Sequence, residues 1–216
     1  YTLTEEVVDE YRTAIEGFDI TNTHEIEKIT FKATKIWEDN DNQDGIRQKE
    51  VNVKLYKNGN LLEEVKITED NNWTYVFEEL DRYENGEEVV YTIVEDVVLG
   101  YEVVINYEDI DENNIVSATI INTHTPEQIS IDINKTWNDN NNKDGIRPNS
   151  IDVELYANNE YVKTISITNK DNWKYSIIGL DKYYQGNEIN YSIIELPVKG
   201  YTTDYDKFNI INNIDL

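Results

Sequence analysis

The chain has 216 residues and carries 19 Lys and Arg against 44 Asp and Glu, a formal net charge of −25. So acidic a balance argues against nucleic acid or an anionic membrane as partner, because both need a basic face to displace counterions. Cysteine is absent and histidine occurs only twice, which removes disulfides, zinc–thiolate sites and cysteine nucleophiles and leaves little imidazole chemistry.

Apolar residues make up 38% and there are 16 Tyr, a composition that suits small cores rather than one large one. The sequence shows no long apolar span and no signal-like segment, so no membrane insertion is expected. An acidic, Tyr- and Asn-rich, Cys-free chain points to an exported protein.

Taken from the start, residues 1–23 read as the C-terminal remnant of an upstream repeat. Tyr1-Thr2-Leu3-Thr4-Glu5 matches Tyr91-Thr92-Ile93-Val94-Glu95, and Ile20-Thr21-Asn22-Thr23-His24 matches Ile120-Ile121-Asn122-Thr123-His124. The segment is expected to carry the fifth and last strands of that repeat, as a window on a longer tandem array. A linker follows at about His24–Lys28.

Residues 28–123 form a first complete repeat and 129–214 a second, with a linker at about His124–Gln128. Lys35-Ile36-Trp37 returns as Lys135-Thr136-Trp137, Asp44-Gly45-Ile46-Arg47 as Asp144-Gly145-Ile146-Arg147, and Asn72-Trp73 as Asn172-Trp173, always 100 positions on. The first copy then carries an insertion, Asp109 to Asn114, after which Asn122 pairs with Asn212.

The periodicity within a repeat is that of strands. Ile129, Ile131, Ile133, Lys135 and Trp137 alternate with polar residues, the pattern of a half-buried strand. Further strands are predicted at about 50–57, 61–68, 72–78, 88–95, 101–106 and 116–123, separated by turn signals such as Asn58-Gly59 and Asn85-Gly86. About seven short strands in each repeat predict an all-β fold, a β-sandwich per repeat.

Three polar residues break the pattern. Lys35 shares a face with Phe31, Ala33 and Trp37; Glu95 shares one with Val89, Tyr91 and Ile93; Asn122 shares one with Ala118 and Ile120. Lys135, Glu195 and Asn212 repeat the arrangement. Each repeat thus aims one Lys, one Glu and one Asn into its core. An isolated buried ion is too costly to persist, so the three are expected to meet.

Two readings follow. One is a buried Lys–Glu ion pair capped by an Asn amide. The other is covalent: desolvation lowers a Lys pKa and raises a Glu pKa, so a buried pair can exchange its proton. The neutral amine would then attack the Asn carboxamide carbon while the acid polarises it and shuttles protons as ammonia leaves.

The ordered motifs resemble the B-type repeats of Gram-positive collagen adhesins, the CnaB-type domains. They are Lys35-Ile36-Trp37-Glu38-Asp39 through Arg47, Val53–Tyr56, Asn72–Tyr75, Tyr91–Glu95 and Ile120–Thr123, with counterparts in the second copy where Asn213 replaces the Thr. The resemblance implies a prealbumin-like, inverse-Ig sandwich with a spontaneous Lys–Asn isopeptide bond assisted by a Glu. It assigns isopeptide partners Lys35 and Asn122 with catalytic Glu95, and Lys135 and Asn212 with catalytic Glu195. Glu5 and Asn22 are the orphaned members of a preceding set.

Other signals count for less. An EF-hand frame over Asp39–Gly45 would take Asn40, Asn42 and Asp44 as ligands, but its twelfth position is Val51, and Ile151 in the second copy, where a bidentate Glu is required. No metal and no cofactor is therefore expected. Leu196-Pro197-Val198-Lys199-Gly200 has the outline of a sortase signal with Lys for Thr, yet it is better read as a loop between strands. His24 and His124 are read as linker residues, and the four tryptophans as packing rather than a sugar platform.

The function expected is a structural stalk of a cell-surface adhesin or fibre, extracellular, wall-anchored or polymerised, and not an enzyme with an external substrate. Neighbouring repeats in the same chain are the first partners expected, then host matrix protein or other fibre subunits. A ligand-binding adhesin module and a pilus backbone are the alternatives.

Overall fold

The computed structural model describes residues 1–214. The chain divides into two compact units, one of Tyr1–Glu38 and Gln48–His124, the other of Asp39–Arg47 with the chain from Thr125 onward.

The N-terminal segment forms a hairpin, β1 (Tyr11–Glu16) and β2 (Asp19–His24), turned at Gly17 with φ +66°. Its antiparallel register sets Thr13 opposite Asn22 and Ile15 opposite Ile20. The fifth-strand counterpart expected at Tyr1–Glu5 is not a strand. The corresponding strands of the complete repeats are held by ladder bonds to a neighbour, and residues 1–5 have none among the described residues.

The first repeat contains β3 (Lys28–Glu38), β4 (Glu50–Lys57), β5 (Asn60–Thr68), β6 (Thr74–Asp81), the short ribbon β7 (Tyr83–Glu84) and β8 (Glu87–Glu88), then β9 (Tyr91–Glu95), β10 (Glu102–Glu108) and β11 (Ile115–Thr123). One sheet has the order β10-β11-β3-β6 and the other β5-β4-β9. Phe31, Ala33 and Ile120 from the first sheet close the core against Val53, Leu55, Ile67 and Ile93 from the second. This is the predicted sandwich of seven main strands.

The second repeat copies it with β12 (Gln128–Asn138), β13 (Ser150–Ala157), β14 (Glu160–Thr168), β15 (Lys174–Asp181), β16 (Tyr183–Tyr184), β17 (Asn187–Glu188), β18 (Tyr191–Glu195), β19 (Tyr201–Asp206) and β20 (Asn209–Ile214). The sheets run β15-β12-β20-β19 and β14-β13-β18. Leu196–Gly200 is the connection from β18 to β19, as its position in the repeat predicts.

Two expected strands have different limits. The strand expected over 88–95 is divided between β8 and β9. The strand expected over 72–78 begins at Thr74 and runs on to Asp81. Its alternation is broken between Phe77 and Leu80, both buried, by Glu79 at φ +57°, and Gly179 takes the same conformation at φ +71° in the second copy. The ladder with β3 shifts register at the same level, between Ile29 and Phe31, so a bulge interrupts the period that the sequence pattern follows.

The topology matters for the site. The first and last strands of each repeat lie side by side and parallel in the middle of the larger sheet, β3 beside β11 and β12 beside β20. Parallel neighbours cannot be joined by a tight turn, so their pairing closes a loop of nearly the whole domain.

Candidate functional site

In the first repeat Lys35 pairs with Ile120 across the parallel ladder, and Asn122 pairs with Trp37. Two residues along a strand return to the same face, so the Lys35 and Asn122 side chains enter the core diagonally adjacent. Glu95 arrives from the opposite sheet at the end of β9, where its register partner is Val53. The second repeat has Lys135 opposite Ile210, Trp137 opposite Asn212 and Glu195 opposite Val153.

The two ion pairs are shut away from solvent. Lys35 Nζ lies 3.4 Å from Glu95 Oε1, with side-chain exposures of 0% and 1%, and Lys135 Nζ lies 3.5 Å from Glu195 Oε1, with both at 0%. Asn122 and Asn212 are fully buried as well. The Asn212 Nδ2 donates to Glu195 Oε1 at 3.3 Å, so one carboxylate oxygen faces both the amine and the carboxamide. In the first repeat neither Nδ2 nor Oδ1 of Asn122 has a protein hydrogen-bond partner. An unsatisfied buried polar atom costs about 1–3 kcal/mol, so this carboxamide is an energetic liability to the core.

An aromatic cap covers each amine. Lys35 Nζ stands 4.2 Å from the Trp37 ring centre and Lys135 Nζ 4.3 Å from that of Trp137. Trp37 packs edge-on against Trp73 and Tyr101, and Trp137 against Trp173 and Tyr201, with centroids 4.9–5.3 Å apart. The tryptophans are therefore half-buried packing elements over the lysines. Burial is the dominant influence on Lys135: it penalises the ammonium more than the Glu195 carboxylate supports it, and brings the group down from 10.5 to about 8.

A second polar cluster, whose physical role the sequence reading does not extract from the shared motif, braces this end of the second repeat. Asp139 is buried and accepts hydrogen bonds from Arg147 Nε at 2.9 Å and Nη2 at 2.5 Å, from the Asn142 backbone N–H at 3.0 Å and from the Tyr201 hydroxyl at 2.9 Å. The Arg147 guanidinium leads these groups in holding its carboxyl far below the usual carboxylate range. Asp39 and Arg47 form the same bidentate pair at 2.9 and 2.5 Å.

The left-handed run Asn40, Asp41 and Asn42 lies in the Asp39–Gly45 loop, where the Asp39 carboxylate caps the Asn42 N–H. Among the described residues no group of three or more His, Asp and Glu is placed to hold a metal ion. His24 and His124 lie against Tyr11 and Tyr101, with ring centres 5.3 and 5.5 Å apart. In the N-terminal segment Glu5 Oε1 accepts from Asn22 Nδ2 at 3.0 Å, so these two residues meet as their counterparts do in the second repeat.

A seven-stranded sandwich whose first and last strands are parallel neighbours, with Lys, Glu and Asn buried between its sheets, defines a narrow class of β-sandwich repeat. The Cna protein B-type domain matches residues 31–123 and again 131–213, and the chain belongs to that family. It is 41% identical over 214 residues to a collagen adhesin of Staphylococcus aureus, covering 98% of this chain and 18% of the relative's length. The crystal structure of two B repeat units, B1B2, of the collagen binding protein of S. aureus superposes with a TM-score of 0.77 at 39% identity, covering 99% of this chain and 57% of that one.

Proposed function

We propose that this chain supplies stalk repeats of a cell-surface adhesin, each complete repeat stapled by an isopeptide bond between its first and last strands. The observation that carries the reading is the solvent-excluded Lys–Glu–Asn set, found twice at equivalent positions. The collagen adhesin relative supports surface placement, and residues 1–23 read as the end of a preceding repeat of the same kind.

The chemistry balances within the core. The Lys135 ammonium passes one proton to Glu195, and the neutral Nζ attacks Asn212 Cγ. The Cγ–Nδ2 bond breaks as Glu195 gives its proton to the departing nitrogen, and ammonia leaves. One of the two protons still on Nζ passes to Glu195, which ends as a neutral acid, and the other stays as the N–H of the new neutral amide. The reaction thus removes a buried ion pair that the core can hold only at a desolvation cost. Lys35, Glu95 and Asn122 follow the same steps.

A covalent link between parallel neighbours in mid-sheet prevents tension on the chain from peeling the first strand from the last. Closing a loop of roughly 80–90 residues adds about 4–5 kcal/mol by the entropic estimate used for disulfides. The larger effect is kinetic, on unfolding and proteolysis. Intact mass of the folded protein tests the reading: two ammonia molecules should be missing from the sequence mass, and a complete mass rejects it.

A further inference from the structure

The two repeats differ at the glutamate. In the antiparallel pairing of the last two strands, Thr203 stands opposite Asn212, whereas Val103 stands opposite Asn122. The Thr203 hydroxyl donates to Glu195 Oε2 at 2.8 Å. That leaves Oε1 turned toward Lys135 Nζ and Asn212 Nδ2, at 3.5 and 3.3 Å. Valine offers no such bond, and in the first repeat Glu95 Oε1 accepts no hydrogen bond while the Asn122 Nδ2 is left unsatisfied.

The N-terminal segment provides a second instance of the threonine contact. Thr13 stands opposite Asn22, and its hydroxyl lies 2.7 Å from Asn22 Oδ1 and 3.0 Å from Glu5 Oε2, while Asn22 Nδ2 donates to Glu5 Oε1 at 3.0 Å. The two carboxylate oxygens of Glu5 face the threonine hydroxyl and the asparagine amide as those of Glu195 do, although Thr13 has Asn22 Oδ1 as a nearer acceptor and no lysine among the described residues forms an ion pair with Glu5. The Thr–Glu–Asn contact thus recurs where the cross-strand register places Thr opposite Asn.

The backbone is pinned to match. The Tyr205 hydroxyl accepts from the Glu195 N–H at 2.9 Å, so this glutamate is fixed at both its main chain and its carboxylate. In the first repeat the equivalent tie falls two residues earlier, where the Ile93 N–H donates to the Tyr107 hydroxyl at 3.0 Å.

We propose that Thr203 is a positioning residue for bond formation: its hydroxyl anchors one oxygen of Glu195 so that the other lies between the lysine amine and the asparagine amide. Val103 makes the first repeat the slower of the two. The inference rests on the isopeptide reading above and adds to it a rate difference between repeats that are otherwise alike.

The test uses the full chain, recovered unfolded at complete mass, refolded by dilution and sampled by intact mass. Peptide mapping assigns each lost ammonia to its repeat, and tryptophan fluorescence follows folding in parallel. The second repeat should close faster than the first. Thr203→Val should slow the second by about tenfold, the effect of one hydrogen bond in the transition state, with folding rate unchanged. Thr203→Ser should restore the rate, which a role in packing alone would not produce.

Val103→Thr should speed the first repeat by a similar factor, and it decides the matter if Thr203→Val does not fold. Equal rates in wild type and Thr203→Val, a Ser variant as slow as Val, or no gain from Val103→Thr overturns the positioning role while leaving the bond itself in place. A wild-type chain that refolds and keeps its complete mass overturns both.

Discussion

Lys135 and Glu195 meet inside the second sandwich with Nζ and Oε1 3.5 Å apart and neither side chain exposed to solvent. The pair spans the two sheets, since Lys135 lies on β12 and Glu195 on β18. Taking two ions out of water costs several kcal/mol each, and their attraction offsets this only with good geometry. At 3.5 Å the contact is a loose one. The covalent exit proposed above, which leaves neutral products, would account for such an arrangement occurring twice.

Replacing either glutamate should separate folding from stapling. In Glu195→Ala the lysine proton has no acceptor, so the second repeat should fold without losing ammonia while the first still closes. The unbridged repeat should lose about 4–5 kcal/mol, on the order of 20 °C or more in melting temperature for a domain of this size. Glu95→Ala should give the mirror result. Domain-resolved mass and calorimetry read both effects, and normal ammonia loss in either variant would remove the glutamate from the mechanism.

Bond formation in the second repeat should also depend on pH in a defined direction. Lys135 keeps its proton below about 8, and the reactive form, in which that proton has moved across the ion pair, has the same proton count as the ion pair itself. The rate should therefore be flat across neutral pH and fall above about 8, where that proton is lost. Refolding at stepped pH with mass readout measures it. A rate that climbs tenfold per unit up to 8 would mean that free amine alone limits the reaction and that no proton passes from lysine to glutamate beforehand.

Much of this site was legible because a strand repeats every two residues. That period alone places Lys35 with Phe31 and Ala33 and Asn122 with Ile120, and all five are buried. Thr203 was not legible, because its partner is set by cross-strand register, and the insertion at Asp109 to Asn114 changes the length of the connection between the two strands that pair. The hairpin strand Tyr11–Glu16 escaped for a related reason: most of its residues are exposed and show no apolar alternation. The Asp139 cluster joins residues 62 apart in sequence, Asp139 and Tyr201, through a loop whose Asx-rich composition suggests turns but not their capping carboxylate.

That cluster gives an acid-dependent prediction. The Asp139 carboxyl is depressed mainly by Arg147, so its contribution to stability is complete above the unfolded carboxyl value, near 3.9, and is lost as pH falls below it toward the folded value. Arg147→Ala leaves a buried carboxylate with only the Asn142 N–H and the Tyr201 hydroxyl. It should cost about 1–3 kcal/mol at neutral pH, as expected for a charge-assisted hydrogen bond, and flatten the decline between pH 4 and 2. Urea unfolding of the second repeat at stepped pH would detect both changes, and an unaltered acid slope would show that the ion pair is not what sets it.

The bulge in the larger sheet offers a comparison between repeats that needs no chemistry. Glu79 and Gly179 occupy equivalent positions with φ of +57° and +71°. Left-handed backbone costs a residue with a Cβ roughly 1–2 kcal/mol, whereas glycine adopts it freely. At Gly179 an added Cβ would meet only the Gln128 Oε1, at 3.7 Å, so the position is open and conformational strain alone decides the outcome. Glu79→Gly should therefore stabilise the first repeat by about 0.5–1 kcal/mol, the strain relief being partly offset by the greater freedom of an unfolded glycine. Gly179→Ala should destabilise the second repeat by a similar amount. Both are best measured in Asn122→Ala and Asn212→Ala backgrounds, where no bridge masks the equilibrium. Opposite signs at the two positions would confirm that the bulge is a strained feature in one repeat and a relaxed one in the other, and equal signs would place its conformation under the control of packing instead.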